Sequence, residues 1–125
     1  MQEWELEFWE KINGNSPAEK DFEELRKSDK VGHDRVRKKI KRYLQRPIDQ
    51  IINAGDLEDL KNGLWELKIS AGKIEYRFLG VLTRSLRPPL FEAFMGFKKK
   101  EQKLRQNHVK TGLIRLGEYL SKKRK

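Results

Sequence analysis

The chain contains no cysteine. Disulfide staples and thiolate metal sites are therefore excluded, and a reducing, cytoplasmic setting is the expectation. It has no run of about 18 apolar residues, so no membrane-spanning helix is expected. The opening Met1-Gln2-Glu3-Trp4-Glu5 is acidic and lacks the basic-then-apolar layout of a signal peptide. The Walker-type glycine loop, the His-Glu-x-x-His pair and the nucleophile elbow are all missing. Histidine is scarce too: only His33 and His108 occur. With scattered carboxylates besides, no metal site and no cofactor is nominated.

What is abundant is positive charge. The 125 residues carry a formal net charge of +10, and its distribution says more than its size. From Met1 to Thr83 basic and acidic residues cancel, whereas Arg84 to Lys125 holds 13 basic against 3 acidic and so carries the whole excess. A field of this kind concentrates polyanions and steers them inward. The terminal Lys122-Lys123-Arg124-Lys125 reads as a solubilising tail. The block Lys98-Lys99-Lys100-Glu101-Gln102-Lys103-Leu104-Arg105 directly follows an apolar strand pattern and points to nucleic acid, with RNA the leading partner.

The length fits a single domain spanning residues 1–125. Trp4, Leu6 and Phe8 alternate with glutamates, which predicts a half-buried strand. Ser16-Pro17-Ala18-Glu19 has the pattern of a capping box opening a helix, with Ala18, Phe22 and Leu25 on its apolar face. A second helix is predicted over about Asp34 to Arg46. Its apolar stripe is Val36, Ile40, Tyr43 and Leu44, and its other face carries Arg35, Lys38, Lys39, Lys41 and Arg42. A solvated helix face is the default reading there, with RNA contact as the alternative. The stretch from Ile48 to Lys61 fits either a short helix or an irregular crossing. Leu64–Ser70 and Lys73–Leu79 read as a hairpin around Ala71-Gly72, pairing Trp65 with Phe78, Leu67 with Tyr76 and Ile69 with Ile74. On the other face Lys68 meets Glu75 and Glu66 meets Arg77. Phe91–Phe97 is a strand with apolar residues at both parities, as expected of a strand covered on both faces. Val109, Leu113, Leu116 and Leu120 mark a final amphipathic helix. The class is α+β: a mainly antiparallel sheet of about four strands, two helices before the hairpin and one after the last strand.

Lysines and arginines at strand ends, beside aromatic residues, can cleave RNA without a metal. RNA supplies its own nucleophile, the 2′-hydroxyl, and the protein must align it, neutralise the phosphate and move two protons. His108, just past the basic block, is the better functional candidate of the two histidines, although a capping or surface role is the default for both.

Three blocks carry a resemblance: Leu60-Lys61-Asn62-Gly63-Leu64-Trp65-Glu66-Leu67-Lys68-Ile69, then Ile74-Glu75-Tyr76-Arg77-Phe78, then Phe94-Met95-Gly96-Phe97-Lys98-Lys99-Lys100-Glu101-Gln102-Lys103. In order and spacing they resemble the HigB branch of the RelE/ParE toxin superfamily, in particular its phage-derived-protein group. The resemblance covers Leu60 to Leu120 and extends to the N-terminal half in layout only. It implies a toxin of a type II toxin–antitoxin system, a ribosome-dependent endoribonuclease (mRNA interferase) acting on mRNA. It also implies a cognate antitoxin, often of helix-turn-helix type. Lys68, Arg77, Lys98, Lys99 and Lys103 match the catalytic basic positions. Lys100, Arg105, His108 and Lys110 are the accompanying RNA-binding candidates. Arg77 is expected on the solvent face, within reach of a phosphate held by Lys98 and Lys99. Three departures stand out. The family's Thr-x-Lys-Thr-Pro helix entry is replaced by Lys100-Glu101-Gln102-Lys103-Leu104-Arg105. The connector with Pro88-Pro89 is longer than usual. No tyrosine follows in this block, so the general base is not assigned. The alternative is a non-enzymatic protein of the same fold, either a nucleic-acid binder or a gyrase-inhibiting ParE-like protein.

Overall fold

The computed structural model of the chain describes residues 2–99 and 102–123, with side chains over 2–99 and 106–122. The elements in chain order are β1 (Glu5–Phe8), α1 (Pro17–Ser28), α2 (Lys30–Leu44), α3 (Ile48–Asn53), β2 (Leu57–Asp59), β3 (Trp65–Ala71), β4 (Ile74–Thr83), β5 (Leu90–Lys98) and α4 (Gln102–Lys123). The strands form one sheet in the order β1-β5-β4-β3-β2. β2 to β5 run as an antiparallel meander, and β1 joins the far edge parallel to β5. The class is α+β, as expected, but the sheet has five strands rather than about four. The additions are short. α3 and β2 both lie in the stretch the sequence left open, and three residues of Leu-Glu-Asp leave no readable alternation.

Local capping explains the helix starts. α2 begins four residues before its predicted start because Asp29 caps it, its carboxylate accepting from the Gly32 N–H at 2.9 Å. α1 begins where predicted, but its capping box does not form. Ser16 instead donates its hydroxyl to the Trp9 carbonyl at 3.1 Å, tying the helix entry to the end of β1.

The β3–β4 register is displaced by two residues from the expectation. Ile69 faces Tyr76, Leu67 faces Phe78 and Lys68 faces Arg77. Gly72 takes φ +64 just after Ala71 pairs with Ile74, so the turn sits one residue later than expected. A two-residue displacement keeps each side chain on its face. The apolar pairing idea therefore survived while the partners changed.

Both faces of the sheet are covered. α1 and α2 pack on one face, over a core that includes Val36, Ile40, Leu67, Ile69, Tyr76, Phe78 and Phe91. α4 lies across the other, over Leu64, Leu79, Phe94, Met95 and Phe97. Between them β5 changes sides at a bulge: Gly80 pairs with Ala93 and Leu79 with Met95, leaving Phe94 as the extra residue. Phe91 and Ala93 therefore enter the first core, whereas Phe94, Met95 and Phe97 enter the second. Gly80 permits the close approach, since a Cβ there would stand 2.0 Å from the Glu92 carbonyl oxygen.

The buried side of α4 differs from the predicted stripe. Gly112 and Tyr119 are buried, Val109 and Leu116 half-buried, while Leu113 and Leu120 are exposed. The reason is the contact at Gly112, where a Cβ would come within 3.0 Å of Leu64, so the glycine rather than the leucines turns inward.

Beyond β1, the open edge of β5 is closed by side chains. The Asp21 carboxylate accepts from the Gly96 N–H at 2.9 Å, and Arg115 donates to the Phe94 carbonyl at 2.9 Å. This manages an edge that would otherwise offer unpaired backbone groups. Burial raises the Asp21 carboxyl above its ordinary range, against the opposing pull of the Gly96 N–H, Arg115 and His108. A raised folded-state pKa means that the native state holds the proton more tightly, so this group's contribution to stability falls as pH rises through that pKa. Asp21→Asn keeps an acceptor for Gly96 and removes the buried charge. Its melting temperature at about pH 7 should equal or exceed that of the parent chain, with the advantage shrinking on acidification. A lower melting temperature at neutral pH would show that the charge itself stabilises the edge.

Candidate nucleic-acid site

The three motif blocks fall on adjacent strands. Lys68 of β3 lies directly opposite Arg77 of β4, and Arg77 lies opposite Phe97 of β5. One row thus crosses the sheet on the face that α4 covers. α4 adds His108, whose ring stacks on Phe97 at 3.9 Å and 17°. Lys99 stands exposed just past β5, its backbone N–H donating to the Glu75 carbonyl at 2.8 Å.

Arg77 is not on a solvent face. It is 6% exposed, because α4 closes over that side of the sheet. Its Nη1 stands 3.0 Å from Glu75 Oε2 and its Nε 4.0 Å from Oε2 of Glu66, which is itself fully buried. The guanidinium is therefore held between two carboxylates. The Ser70 hydroxyl and Arg77 hold the Glu75 carboxyl below its usual range, against a smaller opposing effect of burial.

Lys68 does not meet Glu75, as the displaced register requires. It pairs with Glu58 Oε1 on β2 at 2.6 Å, and both side chains are partly exposed. An exposed pair of this kind is worth under about 1 kcal/mol, so an anion can compete for the lysine. Lys98 departs from the expected cluster. It pairs with Tyr76 in register and lines a groove of about 420 Å³ with Asp21, Glu24, Tyr76 and Gly96. That groove opens on the α1 side, so the sheet separates Lys98 from Arg77. Lys110 is exposed on α4. Lys103 and Arg105 fall in the first turns of α4, but their side chains lie outside the described residues, as does Lys100 entirely.

His108 is half-buried, and burial lowers its pKa, with Asp21 opposing in part. It is accordingly neutral near pH 7 and able to accept a proton. Among the described residues no group of three or more His, Asp or Glu side chains is placed to hold a metal ion.

No family model, curated protein or solved structure matches the chain. The site therefore rests on its own geometry. Sequence reasoning overlooked three of its parts. Glu66 alternates with Trp65 and Leu67 and so reads as a solvent position, yet it is fully buried. Phe97, in a strand whose apolar pattern indicates only burial, is also the platform for His108. Asp21 did leave a signal: with Ala18, Phe22 and Leu25 it occupies an i, i+3, i+4, i+7 face, where a carboxylate needs a partner.

Arg77→Ala takes a buried guanidinium from beside the Glu66 and Glu75 carboxylates and should lower the unfolding free energy by about 3–5 kcal/mol, whereas the double change Glu66→Gln with Arg77→Met should recover most of that loss. Urea denaturation of the three proteins checks this. A loss below about 1 kcal/mol for Arg77→Ala would mean that water reaches the pair.

Proposed function

We propose that the chain is a HigB-like toxin of the RelE/ParE superfamily that cleaves mRNA on the ribosome without a metal. The observation that supports this reading most is the row Lys68–Arg77–Phe97 with His108 stacked upon it. Blocks that resemble the family at separate places in the sequence meet there on neighbouring strands. In this reading Lys68 and Lys99 hold the phosphate on either side of Arg77. Arg77, fixed by Glu66 and Glu75, orients the row, and the positive field at the developing oxyanion comes from Lys68 and Lys99. Neutral His108 takes the proton from the attacking 2′-hydroxyl.

The burial of Arg77 favours a second reading, a non-enzymatic RNA binder of the same fold. A reconstituted translation reaction separates the two. With ribosomes present, the message should be cut at discrete positions. His108→Gln should slow cutting by about 10²–10³-fold at unchanged melting temperature. Because burial lowers the His108 pKa, activity should persist down to about pH 6.5 and fall only in more acidic buffer. An intact message with and without ribosomes, alongside retained RNA binding, leaves the binder.

A cationic toxin of this kind needs an inhibitor, and a helix-turn-helix antitoxin with acidic side chains that cover Lys99 and Lys110 fits it. Glu3, Glu5 and Glu7, exposed along β1, offer a separate docking edge. Co-expression of the adjacent reading frame should relieve growth arrest, with a Kd of about nanomolar order. Growth arrest that persists despite a soluble neighbouring protein argues against this pairing.

A further inference from the structure

α2 is the most one-sided element of the molecule. Between Lys30 and Leu44 the only acid is Asp34. Arg35, Lys38, Lys41 and Arg42 are exposed, and with Ala71 and Gly72 of the β3–β4 turn they line a groove of about 490 Å³. Among the described residues no carboxylate lies within ion-pairing distance of these four cations. Lys38 stands at i+3 and i+4 from Lys41 and Arg42, a spacing at which like charges destabilise a helix. Only the small residues Ala71 and Gly72 join the four cations in the lining. Arg35 lies across Gly72, where a Cβ would stand 2.5 Å from its guanidinium nitrogen. Beside the groove, Lys39 ties α2 to β3 by donating to the Ser70 carbonyl at 3.1 Å.

We infer that this groove is a second RNA site, one that grips the phosphate backbone of an RNA duplex. Arg35 to Arg42 spans about 10 Å of helix axis, enough to meet successive phosphates along one strand. The lining is cationic side chain and backbone, with no ring on which an unpaired base could stack. Such a surface reads backbone shape rather than sequence. It lies on the α1–α2 side of the sheet, so a duplex held there leaves the row under α4 open to a separate single strand. The choice of RNA over DNA rests on the proposed function, whereas the duplex-backbone contact rests on α2 alone.

The test is titration of an RNA duplex of about 16 base pairs over a range of salt. The triple variant Lys38→Gln, Lys41→Gln, Arg42→Gln removes exposed charge only, and its melting temperature should be no lower than the parent's. Its affinity should drop about tenfold or more, and its log–log salt slope should become shallower by about 2–3. His108→Gln, impaired in cleavage, should bind the duplex as the parent does. If cleavage is never found but the triple variant loses duplex binding, the groove stands and the toxin reading fails. An unchanged slope in the triple variant overturns the groove. Equal affinity for a DNA duplex of the same sequence overturns the choice of RNA.

Discussion

The architecture depends on a parity switch in a single strand. Strict alternation would send Phe91, Ala93, Met95 and Phe97 of β5 to the same core, whereas the last two belong to the other. The extra residue at Phe94 solves this by reversing which side chains point to α1 and α2 and which to α4. Without the switch, Met95 and Phe97 would fall on the first core, and α4 would lose the apolar floor on which Val109 rests. His108 would lose its stacking partner in the same step. The bulge thus connects the packing of the sheet to the chemistry of the proposed site.

A buried polar pair lies beside that second core. Glu66 and Arg77 sit in a sheet face otherwise floored by Leu79, Met95 and Phe97, with the exposed Glu75 at its rim. Pairs of this sort contribute little net stability against an apolar replacement, yet they oppose any arrangement that leaves one member alone. An α4 displaced along the sheet would still bury leucines, but it would expose or strand this pair. The electrostatics therefore favour one seat for the helix where hydrophobic contact alone would tolerate several.

The sequence made the large elements legible because their periodicities are long and clean. The stripe of Val36, Ile40, Tyr43 and Leu44 is buried as its spacing indicates, and β3, β4 and β5 lie close to where alternation puts them. What failed was information held in tertiary context. Strand alternation is blind to a two-residue displacement, so the β3–β4 partners were wrong although the faces were right. Arg77 and Glu66 alternate like surface residues and become interior only in the folded molecule. The linear tally of charge was misleading in another way. Acids and bases cancel up to Thr83, yet folding gathers the cations of α2 onto one exposed face and leaves the glutamates of β1 on another.

The parallel pairing of β1 with β5 has a consequence for the chain as it emerges during synthesis. Glu5 finds Leu90 as its partner, so β1 cannot be seated in the sheet until β5 has been made. The meander from β2 to β5 consists of near neighbours and is free to assemble first. Until the last strand arrives, Trp4 and the alternating residues after it have no sheet to join, and they depend on solubilising glutamates and on early shelter against α2, where Trp4 donates to the Tyr43 carbonyl at 2.9 Å. A nascent chain stalled before Leu90 would carry a finished helical layer and an orphaned first strand, a natural point of recognition for chaperones that bind extended apolar segments.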